Sequence, residues 1–300
     1  MNSLEAMACA RESEHCMQPA EAFSLIGDET RVKILEALWN ADETPLRFSA
    51  LYDRVPIDTS PQFNYHLDRL TGQFVRKTDA GYELRTAGEN VVRAIVAGSF
   101  TAHPRLEPFE TGDECTRCGE VLTASYEDEQ LAVTCRSCGR THGEYAFPPG
   151  GLLDRSRNEV LDAFNQRVRH LHCLAKDGVC PECSGRMRTE LVREGGCCLD
   201  TDLRVEYVCE QCRHSLCSTV GIALLDQSSL VAFYRDHGID VGTVPYWQLN
   251  WCVSDDSTTV RSTDPWRLDM SIPLGDEVLE FTLDGKLSVI ESQRRESCPG

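Results

Sequence analysis

Ser60-Pro-Gln-Phe-Asn-Tyr-His-Leu-Asp-Arg-Leu70 is the stretch from which the fold of the N-terminal third follows. Ser60 is a candidate helix cap, and Pro61 suits the first helical position because no intrahelical donor is needed there. The apolar residues recur at steps of four and three, which predicts one buried stripe. That stripe is formed by Phe63, Leu67 and Leu70.

The opposite face of this predicted helix is polar, with Asn64 and His66 at its flanks. Taken alone, it could be an ordinary solvated face. Its long or planar hydrogen-bonding side chains are also of the kind that recognise base edges in the major groove of DNA. The candidate DNA-contacting residues are Ser60, Gln62, Asn64, Tyr65 and Arg69.

The surrounding pattern favours the binding interpretation. Two short helices are expected over residues 19–40, separated by Gly27 and Asp28, and a third over 47–55. Alternating runs around Asp79-Ala80-Gly81 predict a hairpin, and a further helix follows Thr86. This order is that of a winged helix-turn-helix, a DNA-docking module. The candidate phosphate contacts on the hairpin are Arg76, Lys77 and Arg85.

Phe23-Ser-Leu-Ile-Gly-Asp-Glu-Thr-Arg-Val-Lys-Ile-Leu-Glu-Ala-Leu38 resembles the opening of ArsR-like winged-helix regulators. Residues 64–70, followed by Gly72 and Phe74-Val75, are similar to their recognition helix and wing entry. The resemblance spans residues 19–99 and implies a homodimeric regulator of double-stranded DNA, paired through helices 19–40 and 86–98. It does not imply a metal sensor, since residues 48–55 lack the Cys-x-Cys of metal-responsive members. The chain is similar to haloarchaeal members that carry additional domains.

Cysteine usage points to metal binding. The sequence has 16 Cys, and no N-terminal apolar run resembles a secretion signal, so we expect a cytoplasmic protein in which disulfides are rare. Eight of the cysteines form four Cys-x-x-Cys pairs, and two such pairs supply the four thiolates of a tetrahedral zinc site. A redox dithiol is the competing interpretation of any single pair. The candidate ligands of two structural zinc ions are Cys115, Cys118, Cys135 and Cys138, and Cys180, Cys183, Cys209 and Cys212.

Adjacent pairs are expected to share a metal, because the helical pattern over 152–175 separates the two halves. Between the first two pairs, residues 121–127 and 130–134 are expected to be the strands of a zinc ribbon. Further donors lie near the second ribbon and could build another site or be core residues; they are Cys197, Cys198, His214 and Cys217.

The predicted fold class is multidomain α+β: an N-terminal winged helix-turn-helix, two zinc ribbons and a small C-terminal α+β domain with an antiparallel sheet. In the last domain Trp247, Trp251 and Trp266 could line a ligand pocket, but core positions are favoured. The expected divisions are a lead-in at 1–18 with Cys9 and Cys16, the winged helix at 19–100, a linker at 101–112, ribbon 1 at 113–148, a connecting helix at 152–176, ribbon 2 at 177–218 and the C-terminal domain at 219–295.

The charge balance is unusual for a DNA-binding chain. The formal net charge is −18, and the 30 basic residues comprise only four Lys beside 26 Arg. An acidic, Lys-poor surface resembles proteins of halophilic organisms, in which molar salt screens charge within about 3 Å. An ordinary acidic protein is the alternative. Residues 54–93 hold six basic and five acidic side chains, so the stretch around residues 60–70 is the least acidic.

The sequence is compared with three functional classes of protein. The first is a sequence-specific transcriptional regulator whose last domain senses a signal or contacts protein. The second is an interaction factor of the transcription machinery, since the alpha subunit of archaeal transcription factor E also joins a winged helix to a zinc ribbon. The third, an enzyme, is not expected, because no nucleophile–base set, phosphate loop or carboxylate pair stands out. No apolar stretch approaches the length of a membrane span.

Overall fold

The computed structural model describes residues 17–193 and 201–297. The predicted lead-in, with Cys9 and Cys16, therefore lies almost entirely outside the described residues. The chain divides into two compact units, Met1–Ala102 and His103–Gly300. The predicted fold class is confirmed: N-terminal helices with a hairpin, two four-cysteine sheet regions and a C-terminal four-stranded antiparallel sheet.

The first unit has the element order of a winged helix-turn-helix. Its elements are α1 (Pro19–Ile26), α2 (Glu29–Trp39), α3 (Phe48–Tyr52), α4 (Ser60–Leu70), β1 (Val75–Thr78), β2 (Gly81–Leu84) and α5 (Thr86–Val96). The strands β1 and β2 pair antiparallel, and Tyr82 also bridges to Leu46 ahead of α3. These backbone hydrogen bonds fix the hairpin, or wing, against the helices.

Burial of α4 follows the predicted stripe, since Phe63, Leu67 and Leu70 are fully buried. The ring of Phe63 packs edge-on against Phe48 and Tyr52, with centroid distances of 5.2 and 5.3 Å. Aromatic pairs at this separation add to the stabilisation from burial alone. The apolar face of α4 is thereby held against α3 while its other face points outward.

Two details of the predicted helices are corrected. Ser60 is not the cap of α4: Thr59 occupies that position, with no side-chain cap bond, and Ser60 begins the helix. The apolar pattern of the helix predicted up to residue 40 places Trp39 inward with Leu35 and Leu38, but Trp39 is 38% exposed. The guanidinium of Arg93 covers its ring at 5.6 Å, a contact that keeps an aromatic ring at the surface.

The second unit combines three antiparallel sheets with a long helix. Its elements are β3 (Leu106–Glu114), β4 (Val121–Glu127), β5 (Gln130–Thr134), β6 (Thr141–Ala146), a 3₁₀ turn (Pro149–Leu152), α6 (Arg157–Lys176), β7 (Met187–Arg193), β8 (Leu203–Cys209), β9 (Ser215–Ser218), a 3₁₀ turn (Gly221–Leu224), α7 (Ser228–Asp236), a 3₁₀ turn (Tyr246–Gln248), α8 (Asn250–Val253), β10 (Thr258–Thr263), β11 (Trp266–Leu274), β12 (Glu277–Asp284) and β13 (Val289–Glu296). The sheets have the strand orders 3-4-5-6, 7-8-9 and 10-11-12-13.

One hydrophobic core runs through the whole second unit. The helix α6 begins at a capping box between Ser156 and Glu159 and buries Phe164 and Val168 completely. Core residues come from both cysteine-rich sheets, from α6 and from the C-terminal sheet, so regions expected as separate domains share their interior. The expected linker at 101–112 also differs, because β3 begins at Leu106 and pairs with β4.

Among the helices of residues 17–193 and 201–297, none combines the length and apolar composition needed to cross a membrane.

Candidate metal centres and nucleic-acid interface

The eight paired cysteines converge in two clusters of four. Cluster 1 joins Cys115, Cys118, Cys135 and Cys138, and cluster 2 joins Cys180, Cys183, Cys209 and Cys212. In each cluster the four Sγ atoms lie within 4.8 Å of one another. Sulfur pairs across cluster 1 are 3.5 and 3.7 Å apart, and those across cluster 2 are both 3.6 Å apart. The predicted sharing of a site by adjacent pairs is borne out.

All four Cys-x-x-Cys turns have the same backbone hydrogen bonds. The amide of the residue after the second cysteine donates to the carbonyl of the first, as Gly119 does to Cys115 at 2.9 Å. The amide of the first cysteine donates to the carbonyl five residues on, as Cys115 does to Glu120 at 2.8 Å. These bonds fold each turn so that both of its sulfurs face the same point.

The residue after each second cysteine has a positive φ. In cluster 1 these residues are Gly119 and Gly139, with φ of 77° and 74°. In cluster 2 they are Ser184 and Arg213, with φ of 58° and 63°. Ser184 and Arg213 could not be recognised from the sequence, because their residue types give no sign of a left-handed turn. The four turns are therefore one repeated structure that cluster 2 builds with strained residues.

The clusters fit a metal by geometry and donor chemistry. A tetrahedral ion with metal–sulfur bonds of about 2.3 Å separates its sulfurs by about 3.8 Å, close to the distances across both clusters. The buried Cys135 has its pKa lowered to about 7: burial alone would raise it, but the Cys138 amide and the Cys118 thiol stabilise its thiolate. The pKa of Cys209 is lowered to about 6, mainly by the Cys212 amide. Each cluster therefore contains one readily ionised thiol, and the set is consistent with two metal sites.

Cluster 1 has an additional polar neighbour. The Nε2 atom of His142, which is buried in β6, lies 3.3 Å from Sγ of Cys115. Burial, together with the charge of Arg140, lowers the pKa of His142 to about 4. A neutral imidazole can donate its N–H to a ligating sulfur, the kind of contact that fixes ligand orientation.

The other candidate ligands do not join these clusters. Cys197 and Cys198 lie outside the described residues. Within the part of the chain that is described, only clusters 1 and 2 bring such ligand atoms together, so His214 and Cys217 belong to neither. Trp247 and Trp251 are buried core residues, as favoured by the sequence, while Trp266 is partly buried.

The structure leaves the polar face of α4 open. Ser60, Gln62, Asn64, Tyr65 and Arg69 are all exposed, Tyr65 by 59%. Asn64 donates to the Asp68 carboxylate at 2.9 Å, so one candidate base-contacting amide already has a partner on its own helix. The face therefore presents free hydrogen-bonding groups together with one acidic side chain.

The three wing cations are exposed as well. Arg76 forms an ion pair with Glu83 across the hairpin at 3.1 Å, and Lys77 lies 5.7 Å above the Tyr82 ring. Arg85 and Arg69 line one cleft at the end of α4, together with Glu21 of α1. Positive side chains from the helix and from the base of the wing thus meet at one place.

His66 makes a buried contact that the helical pattern of the sequence does not predict. Expected at the flank of the polar face, it is buried, and its Nδ1 lies 3.4 Å from Oδ1 of Asp28. Asp28 also caps α2 by accepting the Arg31 amide at 3.1 Å. This carboxylate therefore links the start of α2 to the middle of α4.

The fold and sites define an N-terminal unit of helices with a β-hairpin, followed by a unit with two four-cysteine clusters. Two family models match these parts. Residues 112–289 match the family described as Domain of unknown function (DUF7351), and residues 19–95 match Domain of unknown function (DUF7347). Because the first match covers more than half of the chain, the protein belongs to the DUF7351 family. No curated protein and no solved structure matches the chain.

Proposed function

We propose that this protein is a DNA-binding transcriptional regulator in which two structural zinc ions stabilise the second unit. The observation that carries the proposal is the exposed polar face of α4 beside the exposed cations of the wing. In a winged helix-turn-helix, such a helix enters the major groove while the flanking elements contact the backbone. The proposal includes no catalytic role.

We assign base contacts to α4 and phosphate contacts to the wing. Arginine and glutamine side chains can form paired hydrogen bonds with base edges, and Arg69 and Gln62 are exposed on one face. The cations Arg76, Lys77 and Arg85 are assigned to phosphates, which position the protein without specifying sequence. In concentrated salt the gain from releasing counterions is small. Base contacts would then have to supply most of the affinity.

A homodimer is part of this proposal. The helices α1 and α5, together with the end of α2, carry apolar side chains that the structure leaves exposed. They are Phe23 (70%), Trp39 (38%) and Val96 (59%), with Phe100 (77%) just beyond α5. The helix that ends with Trp39 packs against both of the other helices, and exposed large apolar side chains on adjacent elements favour an interaction surface. A second copy is the occupant we propose, because two-fold pairing presents two recognition helices to one operator.

Zinc is the metal we assign to both clusters. Four thiolates in tetrahedral geometry select zinc or iron–sulfur chemistry, and zinc contributes structure without redox activity. Metal analysis of the purified protein is expected to find about two zinc ions per chain, and chelation is expected to unfold the second unit. A metal-free chain that stays folded would contradict the assignment.

The DNA-contact assignment is tested by two substitutions on α4. Arg69→Ala and Gln62→Ala are each expected to weaken operator binding by about 1–3 kcal/mol at fixed salt, since each removes a base-edge contact. Arg105→Ala, which removes an exposed positive charge from the second unit, is the matched control and is expected to bind as the wild type does. The operator is first selected from a random library, and binding is measured by fluorescence anisotropy. Equal affinities for all four proteins would refute the assignment.

An interaction factor of the transcription machinery is the second candidate. The net charge of −18 and the acidic Asp68 on the α4 face favour a protein partner over DNA. Mapping the sites occupied by the protein across the genome separates the two candidates. Occupancy of a few discrete sites is expected for a regulator, whereas occupancy of most promoters would favour the interaction factor.

A further inference from the structure

The two metal clusters differ in what surrounds them. Residues within two positions of the cluster 1 ligands contact residues 246–253, which comprise the third 3₁₀ turn and α8. We name residues 246–253 the aromatic segment, because they contain Tyr246, Trp247 and Trp251. These three side chains are buried in the core of the second unit.

Asp113 holds one end of the aromatic segment. It lies two residues before Cys115, and its Oδ2 accepts a hydrogen bond from Nε1 of Trp247 at 2.6 Å. Its Oδ1 also accepts from the side-chain amide of Gln248. Charge-assisted hydrogen bonds of this kind are about twice as strong as neutral ones. The first turn of cluster 1 is therefore tied to the start of the segment.

Arg140 holds the other end. It is a buried cation two residues after Cys138, and its Nη2 donates to the carbonyl of Val253 at 2.6 Å. Its own carbonyl accepts the amide of Cys135, one of the bonds that shape the metal turn. A buried guanidinium without its partners would be costly. The second turn of cluster 1 is thereby tied to the end of α8.

Between these ties, β6 approaches the segment closely. A Cβ at Gly143 would lie 1.9 Å from the Tyr246 hydroxyl oxygen, so only glycine permits this packing. The preceding residue, His142, contacts Sγ of Cys115. Two consecutive residues of β6 therefore contact a cluster 1 sulfur and the aromatic segment, respectively.

Cluster 2 has no equivalent arrangement among residues 17–193 and 201–297. In the described part of the chain, no side chain within two positions of the four cluster 2 cysteines forms a hydrogen bond with the aromatic segment. Thr219 does donate to the carbonyl of Cys252, but it lies beyond β9. The aromatic segment is therefore coupled directly to one metal site.

We infer that metal binding at cluster 1, and not at cluster 2, locks the aromatic segment in place and so controls the packing of the C-terminal half of the second unit. Tyr246 and Trp247 pack near Phe164 of α6, and Trp251 donates to the Tyr234 hydroxyl of α7 at 2.7 Å. When the segment is released, α6 and α7 lose their shared neighbour. This inference rests on the metal occupancy proposed above and is independent of DNA binding.

Cys138→Ser and Cys212→Ser form a matched pair for the test, because each removes an exposed second cysteine from the second turn of its cluster. Amide hydrogen exchange is measured by mass spectrometry on the full chain, with zinc content determined for each protein. Cys138→Ser is expected to accelerate exchange over residues 246–253 about tenfold or more. Cys212→Ser is expected to leave that segment within about twofold of the wild type while residues 203–218 exchange faster.

Asp113→Asn provides a second test that retains all eight ligands, in case Cys138→Ser does not fold. Coupling is reciprocal, so weakening the tie to Trp247 is expected to weaken zinc binding at cluster 1 by about fivefold or more. Glu114→Gln, the adjacent exposed carboxylate, is the control and is expected to bind zinc as the wild type does. Zinc retention is measured by competition with a chromogenic chelator.

The outcomes separate the two proposals. Equal exchange of residues 246–253 in both cysteine variants, or equal zinc retention in the Asp113 and Glu114 variants, would overturn the lock while leaving two structural zinc ions in place. A wild-type protein that binds no metal would overturn the metal assignment and the lock together.

Discussion

Asp28 is the residue whose single carboxylate supports two helices of the first unit. It caps α2 and contacts His66 in α4. Burial alone would raise its pKa, but the Arg31 amide and the charges of His66 and Arg31 outweigh burial and hold the pKa below its ordinary value of 3.8. A carboxylate with a depressed folded-state pKa stabilises the fold above its unfolded pKa and loses that effect as the pH falls through the folded value.

Two substitutions separate the cap from the charge. Asp28→Ala is expected to lower the free energy of unfolding by about 1–2 kcal/mol at pH 7, because the α2 cap is lost. Asp28→Asn keeps a capping oxygen and is expected to cost less, about 0.3–1 kcal/mol. The Asn penalty is expected to shrink as the pH falls below 3.8, since the wild-type carboxyl then becomes neutral too. Denaturant unfolding followed by circular dichroism measures both; a pH-independent Asn penalty would contradict the charge assignment.

Single buried polar residues were the hardest feature to predict. His66 was placed at the edge of the polar face of its helix. The helical pattern gives no sign of its contact with Asp28, which caps another helix. Arg140 and Arg169 are buried because distant backbone carbonyls accept their hydrogen bonds, among them those of Val253 and Val241. Such partners depend on tertiary packing that a local pattern does not contain. The two cysteine clusters, in contrast, were predictable, because metal-binding cysteines occur in pairs of fixed spacing.

At the scale of elements, the four cysteine turns share one backbone conformation, so the residue types that occupy it can be compared directly. Ser184 and Arg213 occupy left-handed positions where cluster 1 has glycine. Ser184→Gly and Arg213→Gly are each expected to stabilise the metal-loaded protein by about 0.5–1 kcal/mol, the left-handed penalty less the extra backbone entropy of glycine. Thermal unfolding measures the change.

Gly119→Ala is the reciprocal variant in cluster 1 and is expected to destabilise by about 1 kcal/mol. If all three substitutions left the unfolding temperature unchanged, backbone strain at these turns would not contribute to stability. Destabilisation by Arg213→Gly would instead indicate that the arginine side chain makes a contribution larger than the strain.

Prediction of whole elements succeeded where apolar periodicity was strong. The strands β4 and β5 have the expected bounds, and α4 differs from its expected bounds only by one residue at its start. Their sequences contain the alternating or helical apolar pattern that predicts such elements. The strand β3 was expected as part of a linker because residues 101–112 have no apolar periodicity, and in the structure only Phe109 of its side chains is buried. The strands β6 and β9 are short and follow directly after cysteine turns, so their sequence gives no separate signal. These segments are extended because they pair with a neighbouring strand whose apolar alternation is clear, and not because of a pattern of their own.

At the scale of the whole molecule, the second unit shows why domain boundaries are difficult to infer from sequence. In the sequence, the two sets of four paired cysteines, the helix pattern and the alternating strands each resemble an independent module. Their buried faces nevertheless form one core. Within it, Phe164 of α6 lies near Trp247 of the third 3₁₀ turn, which is distant from it in the sequence. One family model matches residues 112–289, which agrees with a single structural unit that contains both clusters. The boundary between the two units, after Ala102, falls inside the segment expected as a linker.

Net charge acts on the whole molecule and gives the final prediction. Forty-eight acidic and 30 basic residues leave −18, so like-charge repulsion opposes folding at low ionic strength. Raising potassium chloride from 0.2 to 2 M shortens the Debye length to about 3 Å or less and is expected to raise the thermal unfolding temperature by about 5 °C or more.

Sucrose at matched osmolality, which is excluded from protein surfaces but screens no charge, is the control and is expected to give a smaller rise. An equal rise in both would show that exclusion, and not the acidic surface, governs the salt response. An unfolding temperature that falls with salt would mean that surface ion pairs such as Arg294 with Glu277 and Asp236 outweigh the net repulsion.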